Sequence, residues 1–214
     1  MAVFKCKMCG GTVSIDSSTN IATCDYCGSK QTFPQFSEET ETRLFDSGTA
    51  FLQQGEYDKA EKVFNQLITI KPSDPELYWT LALCKYGITF VQDPQSKKYI
   101  PTCNRTHFES ILNDKNYLNA IKYSNEGEKA YYKETAELIN NIQKNIISIS
   151  QKEKPFDIFI SYKETDKNGN RTKDSIIAQD IYNKLTEAGY KVFFSRITLE
   201  SKIGSEYEPY IYAA

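Results

Sequence analysis

The sequence has little of several features that would each indicate a class of protein. Its 214 residues include a single histidine, His107, and no dense run of lysine or arginine. Since 26 Lys and Arg residues nearly balance 28 Asp and Glu residues, no strongly positive face is expected, and duplex nucleic acid is not the expected partner. One histidine near Cys103 also offers too few ligands for a second metal site.

Long apolar runs are missing as well. No stretch approaches the roughly 20 apolar residues of a membrane helix, and the amino terminus lacks the apolar core of a signal peptide. The sequence therefore predicts a soluble cytoplasmic protein without a membrane partner. In such a protein, two Cys-x-x-Cys pairs indicate metal or redox chemistry more than a disulfide framework.

Residues 1–33 are predicted to form a zinc ribbon whose ligands are Cys6, Cys9, Cys24 and Cys27. Each pair places two thiolates in a tight turn, and the glycine that follows can adopt a positive φ. Strand-like runs at 12–15 and 21–23 predict a hairpin that returns the second pair to the first. Four sulfur ligands suit a closed, structural Zn²⁺ site. Two disulfides or redox-active dithiols are the alternative.

A helical pattern follows in residues 38–152. The spacing of apolar and small residues resembles one tetratricopeptide repeat over Leu44, Gly48, Phe51, Ala60, Phe64 and Pro72. In that family the small residues at Gly48 and Ala60 let two helices approach each other. The resemblance implies binding of proteins or peptides, and a purely structural spacer is the alternative.

A second repeat begins at Pro75, but its partner helix is indicated only from Tyr117 onward. This gap predicts an insertion at about 87–114 between the two helices, because insertions in repeats usually form loops. Within it, runs at 88–91 and 98–101 are predicted to pair as a hairpin. A third helical stretch, from about 127 to 150, is predicted to cap the helical layer.

The last part of the chain has the pattern of a βαβ unit. Apolar strands at 156–162 and 190–194 flank an amphipathic helix that starts near Ser175 and ends at Gly189. A unit of this kind places its two strands in parallel with a right-handed crossover.

These residues resemble a Toll/interleukin-1 receptor (TIR) domain of the bacterial kind. The resemblance lies in three motifs, Phe156-Asp157-Ile158-Phe159-Ile160-Ser161-Tyr162, Gly189-Tyr190-Lys191-Val192-Phe193-Phe194 and Ser195-Arg196-Ile197-Thr198-Leu199-Glu200. It implies a flavodoxin-like sheet that self-associates and, in many members, cleaves NAD⁺. The expected fold class is therefore a multidomain α+β protein: zinc ribbon, helical hairpin repeats with boundaries at 38–152, and the first part of a TIR domain at 155–214.

The resemblance does not supply a catalytic residue. A doubly wound domain needs on the order of 100 residues, and the family's catalytic glutamate follows a third strand that residues 156–214 do not contain. Glu206 and Glu208 are read as acidic residues that favour a helix start. Self-association or aggregation is expected through apolar faces left uncovered at Ile158, Ile160, Val192 and Phe194.

By the same resemblance, a nucleotide would lie at the carboxyl ends of the strands. The residues there are Ser161, Tyr162 and Lys163 after the first strand and Ser195 and Arg196 after the second. Tyr162 could stack on a ring, and Lys163 or Arg196 could face a pyrophosphate. A half-buried aromatic and solvated charges are the alternative reading.

The leading functional prediction is a bacterial TIR protein that, when its TIR domain is complete, hydrolyses NAD⁺ in phage defence, with the ribbon and repeats sensing or docking a partner. Residues 155–214 alone are expected to lack the catalytic chemistry. The alternative is a non-enzymatic adaptor that acts through TIR and repeat contacts. A third interpretation takes the βαβ unit as part of a deoxyribosyltransferase-like or response-regulator-like fold.

Overall fold

A computed structural model describes residues 4–13, 20–152, 155–199 and 210–211. The predictions for residues 14–15, Glu206 and Glu208 therefore lie outside the described residues. The chain divides into two compact units, residues 1–144 and 145–214. Of the described helices, none has the length and apolar character needed to cross a membrane.

The first unit begins with two short antiparallel hairpins. Strands β1 (Phe4–Lys5) and β2 (Thr12–Val13) pair, and so do β3 (Ile21–Thr23) and β4 (Lys30–Thr32). The predicted pairing of the runs at 12–15 and 21–23 with each other is therefore wrong.

The reason lies in the turns that the cysteine pairs form. The backbone N–H of Gly10 donates to the carbonyl of Cys6 at 2.9 Å, and that of Gly28 donates to the carbonyl of Cys24 at 2.8 Å. Both glycines have positive φ, as predicted. Each Cys-x-x-Cys turn thus reverses the chain locally, so that the segments flanking it pair with each other.

Helical hairpins form the rest of the first unit. The helices are α1 (Glu39–Gln53), α2 (Tyr57–Ile70), α3 (Pro75–Lys85), α4 (Lys115–Tyr123) and α5 (Glu126–Lys152), of which the last continues beyond residue 144, where the first unit ends. α1 packs against α2 and α3 against α4, and residues 86–114 lie in sequence between the two helices of the second hairpin. α5 confirms the predicted third helical stretch.

The small residues Gly48 of α1 and Ala60 of α2 let the two helices pack closely, as predicted. Ala60 and Phe64 on α2 are fully buried. A Cβ atom added to Gly48 would lie 2.7 Å from Cε1 of Phe64. The phenyl ring therefore occupies the space that a larger residue at position 48 would need.

The insertion contains the predicted hairpin. β5 (Ile88–Gln92) and β6 (Tyr99–Cys103) pair antiparallel, and a 3-10 turn follows at Ile111–Asn113. The side chain of Asn104 donates to the hydroxyl of Tyr57 at 2.6 Å, which fastens the hairpin to α2.

The second unit is the predicted βαβ arrangement. β7 (Ile158–Ile160) and β8 (Val192–Phe194) are parallel and are connected through α6 (Lys173–Glu187). Gly189 has a φ of 90° and donates its N–H to the carbonyl of Thr186, so it caps α6 as predicted. A helical turn, α7 (Ser195–Thr198), follows β8 directly.

Strand β8 is more deeply buried than we expect from the sequence. Phe193 stacks on Phe159, and Phe194 stacks against both Tyr162 and Tyr182. Val192 is 5% exposed and Phe194 is fully buried, so the prediction that these two residues are uncovered is wrong. The exposed apolar side chains of this unit instead include one on β7 and several on α6, namely Phe159, Ile176, Ile177 and Ile181.

Candidate metal centre and binding surfaces

The four predicted ligands meet at one point. The sulfur atoms of Cys6, Cys9, Cys24 and Cys27 all lie within 4.8 Å of one another. Those of Cys6 and Cys27 are 3.7 Å apart, as are those of Cys9 and Cys24. The two turns described above bring together cysteines that are 21 and 15 residues apart in the sequence.

This arrangement fits a tetrahedral metal ion. Zinc–sulfur bonds of about 2.3 Å place two ligand atoms of a tetrahedron about 3.8 Å apart, close to both measured separations. A disulfide would require sulfur atoms about 2.05 Å apart, and all six cysteines, which lie in the described part of the chain, are free. The four cysteines could therefore hold a metal ion.

Hydrogen bonds prepare Cys6 to act as a thiolate. Burial alone would raise its pKa, but donors from Cys9, Gln31 and Met8 outweigh burial and lower the pKa of Cys6 to about 7. The side-chain amide of Gln31 donates to the sulfur at 3.0 Å, and the backbone N–H groups of Met8 and Cys9 donate at 3.4 Å. Donors of this kind orient metal ligands and stabilise their charge.

A buried polar network joins the ribbon to the helices. Lys7 extends its ammonium group to the carboxylate of Glu76 at 2.6 Å, where the Glu76 side chain is 0% exposed and that of Lys7 is 10% exposed. The hydroxyl of Tyr132 donates to the same carboxylate at 2.9 Å, and the hydroxyl of Thr32 also donates to it. One carboxylate on α3 thus receives donors from the ribbon and from α5.

A second junction lies at the start of α5. Asn125 and Glu128 form a capping box, in which each side chain bonds the backbone N–H of the other at 2.9 Å. The side-chain amide of Asn20, which precedes β3, donates to Glu128 at 3.0 Å. Burial raises the pKa of Glu128.

Asp74 forms a third link between the two regions. It caps α3 by accepting from the N–H of Glu76, and it accepts from the N–H of Gln35 at 2.9 Å. Burial, with the nearby charge of Glu76, raises the pKa of Asp74 to about 7. Sequence reasoning missed Asp74, Glu76 and Glu128 as junction residues. The sequence offers one signal, that acidic residues often lie at the start of a helix. This signal does not identify their partners in the ribbon.

Helices α1, α3 and α5 line a common cavity. It has a volume of about 260 Å³. The lining residues include Leu52 of α1, Trp79 and Leu83 of α3, and Tyr131 of α5, with Met8 from the ribbon and residues 88–91 from β5. We define this cavity as the groove.

In the second unit, the predicted nucleotide-site residues lie at the carboxyl ends of β7 and β8. Ser161 and Lys163 are exposed. Tyr162 stacks on Phe194 with ring centroids 4.9 Å apart, and the hydroxyl of Ser195 lies 3.2 Å from the hydroxyl of Tyr162. The structure thus brings Tyr162 and Ser195 together.

Arg196 faces an acidic neighbour that sequence reasoning missed. Its guanidinium nitrogen lies 3.8 Å from Glu164, and that of Arg171 lies 3.7 Å from the same carboxylate oxygen. Burial, followed by the neighbouring Glu164, raises the pKa of Tyr162. An anionic ligand at this edge would have to compete with Glu164 for Arg196.

A comparison with family models matched residues 48–87 to a TPR repeat. The match covers part of α1, all of α2 and α3, and it indicates protein–protein interaction. Comparisons with curated proteins and with solved structures gave no match. The match does not reach residues 155–214, whose resemblance to TIR domains stays a prediction.

Proposed function

We propose that the first unit docks a protein partner in the groove and that bound zinc holds this unit together. The observation that carries the proposal is the groove itself. The matched repeat contributes Trp79 and Leu83 to its wall, and the metal ribbon contributes Met8. Concave apolar surfaces with a few polar groups are where ligands usually bind.

Zinc is the metal that suits this site best. Four thiolates at tetrahedral spacing are typical of structural zinc, and such a site leaves no position open for substrate. The chemistry it supplies is structural, since it ties together two hairpins that are too short to build a core. The residues of the chain then transmit this order to the helices through Lys7 and Glu76.

Site-specific crosslinking tests docking. A photoreactive benzoylphenylalanine is placed at Val91, which lines the groove and is 39% exposed, and as a matched control at Leu118 on α4, which is 52% exposed. We expect crosslinking in the native cell to capture a partner from position 91 and not from position 118. The same products from both positions, or none from position 91, would contradict docking in the groove.

For the second unit, we infer a TIR-type activity, the hydrolysis of NAD⁺ inside the bacterial cell in defence against phage, with self-association of this unit. The parallel βαβ arrangement supports this inference, because nucleotides bind at the carboxyl ends of such strands. Water would replace nicotinamide at the ribosyl carbon, so that the glycosidic bond breaks and ADP-ribose forms. Tyr162, Ser195 and Arg196 are the residues that would contact the nucleotide.

Nicotinamide release separates this activity from the adaptor alternative. Two purified proteins, the chain of 214 residues and the same chain extended to a complete TIR domain, are each incubated at high concentration with NAD⁺ and a crowding agent. Turnover is expected from the extended protein alone, because the resemblance places the catalytic glutamate outside residues 156–214. Arg196→Ala in the extended protein serves as the comparison. Turnover that the variant reduces at least tenfold supports the hydrolase. A folded protein that docks its partner but releases no nicotinamide would favour the adaptor.

A further inference from the structure

The hairpin of the insertion has one edge whose backbone groups are directed away from its partner strand. The N–H of Asp93 donates to the carbonyl of Lys98 at 2.8 Å, and the N–H of Asn104 donates to the carbonyl of Gly87 at 2.9 Å. In an antiparallel pair, hydrogen-bonded and non-hydrogen-bonded residue pairs alternate. When this alternation is counted from either end of the hairpin, Phe90 belongs to a non-hydrogen-bonded pair with the residue opposite it.

The sequence of β6 agrees with this pattern. The residue opposite Phe90 is Pro101, which has no N–H to donate. The N–H and carbonyl of Phe90 consequently point outward from β5, as do those of the exposed Gln92 by the same alternation, whereas Ile88 is fully buried. An outward row of such groups is a template on which another extended chain can pair.

This outer edge borders the groove. Four successive residues, 88–91, line the cavity, and of the two strands only β5 contributes to its wall. The cavity therefore lies on the side of β5 that faces away from β6. A chain paired with β5 would run along the mouth of the cavity.

The size and lining of the cavity indicate what would enter it. A volume of about 260 Å³ lies below the usual range of small-molecule sites, roughly 300 to 1,000 Å³, but it admits a large side chain. Leu52, Trp79 and Leu83 form its buried wall. Alternate residues of a strand point to the same side, so that one apolar side chain of a paired strand can enter while its neighbours stay outside.

The charges at the hairpin turn indicate which residue type the bound segment carries near this turn. Lys97 and Lys98 are both exposed there. The nearby carboxylate of Asp93 is already bonded to the N–H groups of Gln95 and Ser96. The turn therefore presents net positive charge beside the end of β5, which favours an acidic residue in the bound segment.

We propose that the docked partner presents an extended peptide segment that pairs with the outer edge of β5. The segment inserts a bulky apolar side chain into the groove and places an acidic residue near Lys97 and Lys98. This inference rests on the proposed docking function and names its binding mode, in which backbone hydrogen bonds supply affinity and the cavity supplies specificity.

The test uses the zinc-loaded full chain and a phage-displayed library of linear nine-residue peptides. We expect selected peptides to alternate apolar and polar residues and to carry an acidic residue near one end. The best of them is synthesised and its Kd is measured by fluorescence anisotropy. The backbone nitrogens of this peptide are then methylated one at a time. Methylation should weaken binding at least tenfold at alternate positions only, because alternate N–H groups of a paired strand bond to β5.

Two variants of one residue isolate the backbone contribution. Phe90→Ala and Phe90→Pro both remove the ring, but only proline also removes the outward N–H, and neither removes a bond to β6. We expect Phe90→Pro to weaken the peptide at least tenfold more than Phe90→Ala, with both variants melting within a few degrees of each other.

Three outcomes would overturn the inference. They are equal affinity for the two Phe90 variants, tolerance of methylation at every position, and failure of the library to yield any binding peptide. Each would leave the docking function standing if crosslinking from position 91 still captured a partner. Loss of that crosslinking would instead contradict the proposed function itself.

Discussion

The buried contact between Lys7 and Glu76 offers the sharpest test of how the ribbon is joined to the helices. In Glu76→Gln, the ammonium group of Lys7 loses its negatively charged partner but keeps its bond to the carbonyl of Thr32 and its position 5.3 Å from the ring centre of Phe33. Removing one partner of a buried pair costs about 3 to 5 kcal/mol, because the other charge stays buried. We expect the free energy of unfolding to fall by about 3 kcal/mol, the lower end of this range, since Lys7 retains other partners.

Trp79 gives a convenient readout. It is the single tryptophan of the chain and is 1% exposed, in ring contact with Tyr132 at 5.2 Å. Its fluorescence therefore reports unfolding of the first unit. For a unit of this size, about 3 kcal/mol corresponds to a melting temperature roughly 6 to 12 °C lower. Urea unfolding, with zinc present in every sample, supplies the free energy directly.

A double-mutant cycle and a surface control complete the experiment. Lys7→Met combined with Glu76→Gln should be less destabilised than the sum of the two single variants, with a coupling of about 1.5 kcal/mol or more. Glu39→Gln removes the exposed pair of Glu39 and Arg43 and should leave the melting temperature unchanged. A Glu76→Gln variant as stable as the parent protein, or a cycle without coupling, would refute the reasoning.

Three further predictions follow from the first unit. Gly48→Ala should destabilise this unit by about 1 to 3 kcal/mol because the added carbon meets Phe64. The exposed control Ser47→Ala should melt at the same temperature as the parent protein. Equal melting temperatures for the two variants would contradict the close packing. Because burial and Glu76 raise the pKa of Asp74 to about 7, this group favours folding fully below about pH 4 and loses that contribution as pH rises through 7. Urea unfolding at each pH should show the decline, and Asp74→Asn should flatten it; an unchanged slope would contradict the assignment. Cys24→Ser should abolish binding of one zinc per chain, measured by native mass spectrometry, and full retention would exclude the four-thiolate site.

Local signals in the sequence predicted much of this structure correctly. The spacing of the cysteine pairs predicted a four-sulfur cluster, because each Cys-x-x-Cys fixes its own turn. Helical periodicity predicts helices where the structure has them, and Gly48 lies at a close-packing position, as the repeat pattern predicts. The parallel βαβ unit followed from two apolar runs separated by an amphipathic helix.

Features that depend on distant contacts were not predictable in the same way. The pairing of β2 with β1 was missed, because turn geometry decided between two neighbouring partners. Glu76 reads as an ordinary acidic residue of a first helical turn, and only the folded chain brings Lys7 to it, 69 residues away in the sequence. The burial of Phe194 likewise depends on Tyr162 and Tyr182 reaching it from other elements.

Hydrogen–deuterium exchange of the full chain, with zinc bound and after zinc is removed, tests most directly whether the ribbon and the helical repeat form one metal-stabilised docking unit. We predict that zinc removal raises exchange in the ribbon and also in α3 and the first turns of α5, where Glu76, Glu128 and Tyr132 bond to the ribbon or to each other. Residues 158–194 should keep their protection. Faster exchange confined to residues 4–33, with α3 and α5 unchanged, would contradict the account.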